Sequence, residues 1–368
     1  MRNEITIAHI SPRAYSESSS FIQANIRGLK GKVKCFYGGY VPTHMDGGLL
    51  VGLNIFEKLE FLLFKRISGF KLQEYLFYRE LKKQSVDLVF AEYGPTANAI
   101  YPVMKRLKIP LVVHFHGFDV YHSSTLKNHG VHYPQLFSIV SFVIAVSKEM
   151  QSDLIDMGMP GDKILYSPCG CQLDVMEPAE SQERRGFLAV GTLVNKKSPI
   201  NLLRAYFEAY QRGSQFQLSI IGDGPLLEEC KNFIVQNALE DRVILLGNLP
   251  HDEVLSMMKK HAVFVQHSVK SQDGNREGTP VAILEASAMS MPVVSTRHAG
   301  IQDVVIHEKT GFLIEEQDFV AMGERMFQLE KDTEMCKRMG LEGFKFITEN
   351  WTSLHHLKRI NQRIQEIF

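Results

Sequence analysis

Short, almost wholly apolar runs recur along this chain with longer helix-like stretches between them, and this alternation restricts its fold more than any other feature. Ile5 to Ile10, Val33 to Tyr37, Val86 to Ala91, Pro110 to His114, Phe142 to Val146 and Ile164 to Tyr166 read as strands. A second series comprises Gly186 to Val190, Phe216 to Ile221, Arg242 to Leu246, Ala262 to Val265 and Pro292 to Ser295. Runs apolar at nearly every position suit parallel strands buried on both faces. Regular alternation of strand and helix within each series predicts an α/β fold with two doubly wound sheets.

Between the series lies Gln172 to Arg185, QLDVMEPAESQERR, polar and without periodicity. It divides the chain into a first domain at 1–172, a linker at 173–185 and a second domain at 186–350, in keeping with about two domains for 368 residues. Residues 351–368 read as a C-terminal amphipathic helix capped by Thr352, with a stripe of Leu354, Leu357, Ile360, Ile364 and Ile367 that needs a surface to cover.

Lys plus Arg and Asp plus Glu number 41 each, so a grip on nucleic acid by overall charge is excluded. Neutrality hides an asymmetry. Residues 1–172 carry 19 basic against 14 acidic residues, and the remainder 22 against 27. Five scattered cysteines with no metal-type or redox-type spacing fit structural thiols in a reducing compartment. The N-terminus has no signal-peptide pattern and no run is long enough to span a bilayer, so a cytoplasmic setting is expected.

The most informative segment is Glu277 to Gly300, EGTPVAILEASAMSMPVVSTRHAG, between two strands. Thr279 is expected to cap a helix with Pro280 in its first turn, running through Ser290. Its free amides and positive dipole end form an anion site suited to phosphate. Glu285, surrounded by apolar residues in that helix, should have a partner.

Glu277 and Glu285, with GTP after the first, EA at the second and PVVSTRHAGI beyond, resemble the paired-glutamate signature of retaining glycosyltransferases of family 4. These have the GT-B architecture of two facing Rossmann-like domains. The resemblance implies that Glu277 contacts the donor sugar and Glu285 the nucleotide ribose, with Gly278, Thr279, Pro280, Val281 and Ala282 around the phosphates. In VGTLVNKKSP, Val190 to Pro199, Lys197 matches the lysine that neutralises the departing diphosphate, whereas Thr192 stands where relatives often have Arg. Lys196 either compensates for that loss or is an ordinary surface charge. IIGDGP is similar to the family's glycine turn, with Gly222 and Gly224 at the ligand, and GNLPHDEV to its base pocket, with the Leu249 backbone as the base contact.

In the first domain His116 of PLVVHFHGFD matches the residue near the anomeric carbon, with His114 a structural neighbour. AEYGPTANA and HSVKSQDGNREGTP resemble the bacterial exopolysaccharide and lipopolysaccharide, colanic-acid-type, subset. The loop Ser11 to Phe21 departs from the family's Gly-Gly pattern, and Glu17 with its serines either caps a helix or meets an acceptor sugar.

These likenesses imply a hexosyltransferase that moves sugar from a nucleotide diphosphate sugar to a glycan or lipid-linked glycan with retained configuration. No cofactor is expected, and no metal, because no D-x-D triplet occurs. A sugar-nucleotide 2-epimerase of the same architecture and a non-enzymatic sugar-nucleotide-binding subunit remain as alternatives. Residues 1–110 carry 16 basic against 9 acidic residues. Within them Leu49 to Phe70 reads either as a basic interfacial helix on an anionic membrane or as a core helix with a solvated rim.

Overall fold

The structure is a computed structural model, and it describes residues 4–14, 20–46, 48–50, 54–172 and 184–368. Most of the linker 173–185, and Glu17 with its neighbouring serines, lie outside the described residues.

Each apolar series builds its own sheet. The first contains β1 (Thr6–Ile10), β2 (Lys32–Tyr37), β3 (His44–Met45), β4 (Gly48–Leu49), β5 (Leu88–Glu92), β6 (Leu111–His114), β7 (Phe142–Ala145) and β8 (Ile164–Tyr166). Their order is β4-β3-β2-β1-β5-β6-β7-β8, parallel from β2 to β8, with β3 and β4 added antiparallel at the edge. The second contains β9 (Phe187–Val190), β10 (Leu218–Ile221), β11 (Val243–Gly247), β12 (Val263–Gln266), β13 (Val293–Thr296) and β14 (Gly311–Ile314). Its order, β11-β10-β9-β12-β13-β14, is wholly parallel. Helices connect successive parallel strands in both, as the doubly wound reading requires. Every residue of β5, β6, β7, β10, β12, β13 and β14 is buried, which explains their unbroken apolar runs.

Three strands escape the sequence reading. β3 and β4 have two residues each, too few for a pattern, and β14 lies in EKTGFLIEEQ, where flanking charges mask it.

The chain forms two compact units, 1–167 with 356–368, and 168–355, so the first division falls ahead of residue 172. The C-terminal helix, Ser353–Gln365, is capped by Thr352, whose Oγ1 accepts from the His355 N–H at 3.2 Å. Ile360 and Ile364 pack against Ile7, Leu88, Phe90, Val112 and Ile144 of the first unit. Leu354, expected in this stripe, is 72% exposed, and His356 and Asn361 are buried in it instead. Asn361 donates to the Gly28 carbonyl at 2.9 Å and accepts from the Lys30 N–H at 2.8 Å, closing the end of the helix Ser20–Gly28. The His356 Nδ1 meets Ser167 Oγ at 2.8 Å, and burial pushes its pKa down to about 3.

The helix expected from Thr279 through Ser290 runs from Val281 to Ala288. Thr279 does not cap it, because its Oγ1 accepts from the Cys169 N–H at 3.0 Å, a tertiary bond that takes the place of a local one.

Candidate glycosyl-transfer site

In each sheet the strand order reverses at one point, between β1 and β5 in the first unit and between β9 and β12 in the second. Connections leave toward opposite faces there, opening a crevice at the carboxyl ends of the strands where α/β sheets bind ligands. Lys196, Lys197 and Glu277 of the second unit and His116 of the first lie at these reversal points.

In the second unit β9 runs out into Gly191 and Thr192, and β12 into His267. A cavity of about 30 Å³ between these ends is lined by Gly191, Thr192, Lys197, Gln266 and His267. Glu277, 4% exposed, places Oε1 at 3.2 Å from the Lys197 Nζ and 4.0 Å from the Lys196 Nζ. Burial alone would raise the Glu277 carboxyl, but Lys197 and Lys196 hold it below its ordinary range. Burial likewise lowers the Lys197 ammonium, against the pull of Glu277. Two ammonium groups facing one carboxylate leave a positive excess, which suits a further anion.

His298 fixes the backbone at this point. Its Nε2 accepts from the Glu277 N–H at 3.1 Å, so the ring proton sits on Nδ1, 2.6 Å from Glu316 Oε1.

The glycine turn of IIGDGP closes the same end of the sheet. At Gly222, φ is +139°, and a Cβ there would lie 2.0 Å from the Gly191 carbonyl oxygen; at Gly224 it would lie 2.6 Å from that of Leu193. These glycines therefore answer first to backbone packed against backbone. Helix 281–288 begins just after Glu277 in sequence. Its Ile283 and Leu284 N–H groups turn back to the Pro280 carbonyl, while those of Val281 and Ala282 precede the first intrahelical acceptor. Gly278 and Pro280 are buried and Thr279 is half-buried. The partner expected for Glu285 is His251, whose Nε2 lies 2.9 Å from Oε1 and whose pKa that bond raises. His251 belongs to GNLPHDEV, in which the sequence reading picked Leu249; the Leu249 side chain packs on the core beneath the helix.

In the first unit the reversal point holds Glu92, the last residue of β5, with no exposure at all. Oε1 lies 3.0 Å from the His9 Nε2 and 3.2 Å from the Asn25 Nδ2, and Oε2 lies 3.1 Å from the His114 Nδ1 and 2.6 Å from the His116 Nε2. Burial would raise this carboxyl, but His114, His116 and His9 hold it well below the ordinary range. An ionised carboxylate only accepts, so each of these ring nitrogens must carry its proton toward Glu92. That fixes the orientation of His116, whose side chain is 8% exposed.

Asp119 shapes the HGFD turn beneath it, accepting from the N–H groups of His116, Gly117 and Gly94 at 2.9, 3.0 and 3.0 Å. Tyr93, beside the His116 ring, adopts a φ of +72°, the kind of backbone strain that gathers at functional sites. Sequence reading quoted AEYGPTANA yet missed Glu92; its place at a strand end beside the reversal of order was the available signal.

Comparison with known proteins fits this geometry. Residues 32–175 match the family described as Glycosyltransferase Family 4, and residues 175–346 that described as Glycosyl transferases group 1. The chain is 32% identical over 257 residues to the amylovoran biosynthesis glycosyltransferase AmsK of Erwinia amylovora, covering 68% of this chain and 63% of AmsK. It is 32% identical over 249 residues to the putative colanic acid biosynthesis glycosyltransferase WcaL of Escherichia coli K12, covering 65% of this chain and 60% of WcaL. It thus spans less than two thirds of the length of either relative. Its fold is similar to that of Anabaena Alr3699/HepE, solved in complex with UDP and glucose, with a TM-score of 0.73 at 16% identity over 99% of each chain. Two doubly wound sheets give the chain the two-domain α/β fold of these glycosyltransferases, its first half similar to Glycosyltransferase Family 4 and its second half to Glycosyl transferases group 1.

Proposed function

We propose that this chain moves a sugar from a nucleoside diphosphate sugar to a glycan or lipid-linked glycan acceptor in bacterial surface polysaccharide synthesis, with retained configuration and without a metal ion. The observation that carries the reading is the buried Glu277 held by Lys197 and Lys196 at the reversal point of the second sheet. The C1–O bond to the diphosphate breaks with its electron pair going to the phosphate oxygen, and the acceptor hydroxyl oxygen bonds to C1 as its proton passes to that phosphate oxygen. Lys197, Lys196 and the amides of Val281 and Ala282 supply positive charge where that oxygen becomes anionic. Glu277 orients the sugar, Glu285 takes the ribose, Gly222 and Gly224 border the phosphates, and the Leu249 backbone meets the base. His116, oriented by Glu92, belongs to the reacting face. AmsK and WcaL by name serve amylovoran and colanic acid biosynthesis, which supports a polysaccharide acceptor; a cytoplasmic setting is part of this reading.

The test is a panel of UDP- and GDP-sugars with lipid-linked glycan acceptors in excess chelator, with the product anomer read by NMR. Retained product is expected, and Glu277→Gln should lower turnover by about 10²-fold with nucleoside diphosphate affinity nearly kept. An epimer formed from donor alone, or binding without turnover, would overturn the transferase reading. Activity abolished by chelator and restored by magnesium would overturn the metal-free part.

A further inference from the structure

The helix Ile55–Ser68 is amphipathic in an unusual sense: none of its residues is buried, and its apolar face points to solvent. Phe56 is 79% exposed, Ile67 77%, Ile55 70%, Leu63 69%, Leu62 60% and Leu59 56%. Their spacing of three and four puts them on one stripe. The opposite stripe anchors the helix, with the Phe64 ring 4.9 Å from Tyr78 and 5.4 Å from Phe70 and Tyr75, and Phe61 5.2 Å from Tyr75. A core helix with a solvated rim would show the reverse.

Both ends are closed locally. Asn54 and Glu57 form a reciprocal capping box at 2.9 and 2.8 Å, and Gly69 ends the helix in the left-handed conformation with its N–H on the Lys65 carbonyl. The helix is therefore formed before anything covers its outer face.

Charge indicates what covers it. Lys58, Lys65 and Arg66 lie on the helix, Lys71 follows it, and the Arg106 guanidinium sits 4.8 Å above the Phe64 ring. The helix has two acidic residues, and one of them, Glu57, is paired with Arg79 at 2.7 Å. An isologous contact with a second copy would set these cations against each other. An anionic surface with an apolar interior satisfies both the stripe and its basic border.

We infer that Ile55–Ser68 docks this protein on an anionic lipid bilayer, lying in the interface with Phe56, Leu59, Leu63 and Ile67 among the acyl chains and the basic residues at the headgroups. This goes beyond the transferase reading and is independent of it, because the binding needs neither donor nor acceptor.

Co-sedimentation of the full chain with phosphatidylcholine vesicles, with and without phosphatidylglycerol and at low and high salt, tests it. Binding is expected on the mixed vesicles at low salt and should weaken as salt screens the headgroups. Lys58→Glu/Lys65→Glu should weaken it by at least about tenfold. Phe56→Ser/Leu63→Ser should abolish it, with an unchanged circular dichroism spectrum, since both side chains are exposed. No binding at low salt, equal binding to neutral vesicles, or variants that bind like the parent would overturn the inference. So would a dimer in sedimentation velocity that Phe56→Ser/Leu63→Ser dissolves, since a second copy would then own the face.

Discussion

Glu92 and His251 show how far the candidate site rests on carboxylate–imidazole pairs. A fully buried carboxylate is costly unless its lone pairs are taken up, and Glu92 draws three histidines and Asn25 to itself. Glu92→Gln keeps the shape but offers an amide where N–H donors converge. It should lower first-unit stability by about 3 kcal/mol in urea denaturation and reduce turnover, with nucleotide affinity in calorimetry unchanged. Full stability and activity would make the cluster incidental.

His251 bonds to Glu285, which raises its pKa above the usual 6.5. A raised folded value stabilises most when the imidazole is protonated in both states, and that contribution fades as pH rises through the folded pKa. The melting temperature of the parent should therefore exceed that of His251→Gln most at about pH 6 and least at about pH 9. A difference that grows with pH would reverse the assignment.

At the scale of elements, the turns at strand ends carry the candidate site. Gly222 and Gly224 are in tight contact with the loop 191–193, and the Gly222 N–H also bonds to the Gly247 carbonyl at 2.8 Å. Gly222→Ala should cost about 1–3 kcal/mol through strain at positive φ and should weaken nucleotide binding, because Gly191 must move. Thermal shift with and without UDP or GDP reads both effects; an unperturbed variant would mean the loop yields freely. The same scale explains the displaced helix start. Thr279 has the chemistry of a cap, but the amide of Cys169, distant in sequence, claims its oxygen.

At the scale of the whole molecule, the chain returns at its end to complete its first unit. Truncation after His355 would uncover Phe90, Val112 and Ile144 and remove Ile360 and Ile364, each worth roughly 1.5–3 kcal/mol of burial. It would also leave the Gly28 carbonyl and the Lys30 N–H without Asn361. The truncated protein should lose its first unfolding transition in calorimetry and aggregate, while the second unit keeps its nucleotide-dependent shift. A truncated chain with both transitions intact would show that the helix merely decorates the sheet. The five thiols fit this picture of packing, with Cys35 and Cys171 pushed up to about 12 by burial.

The sequence by itself determined the strands of the two apolar series, their parallel pairing and the segments that carry the candidate site. Apolar periodicity and the turn residues are local, and burial on both faces leaves few topologies for such runs. Glu277, Lys197, Glu285 and His116 were all legible as members of motifs. Tertiary structure alone decided their partners. His9 reaches Glu92 across 83 residues and Asn361 reaches Lys30 across 331, distances over which spacing along the chain says nothing about proximity. It also decided which face of 55–68 is outward, because an amphipathic pattern fixes a stripe but not the side on which the rest of the protein lies.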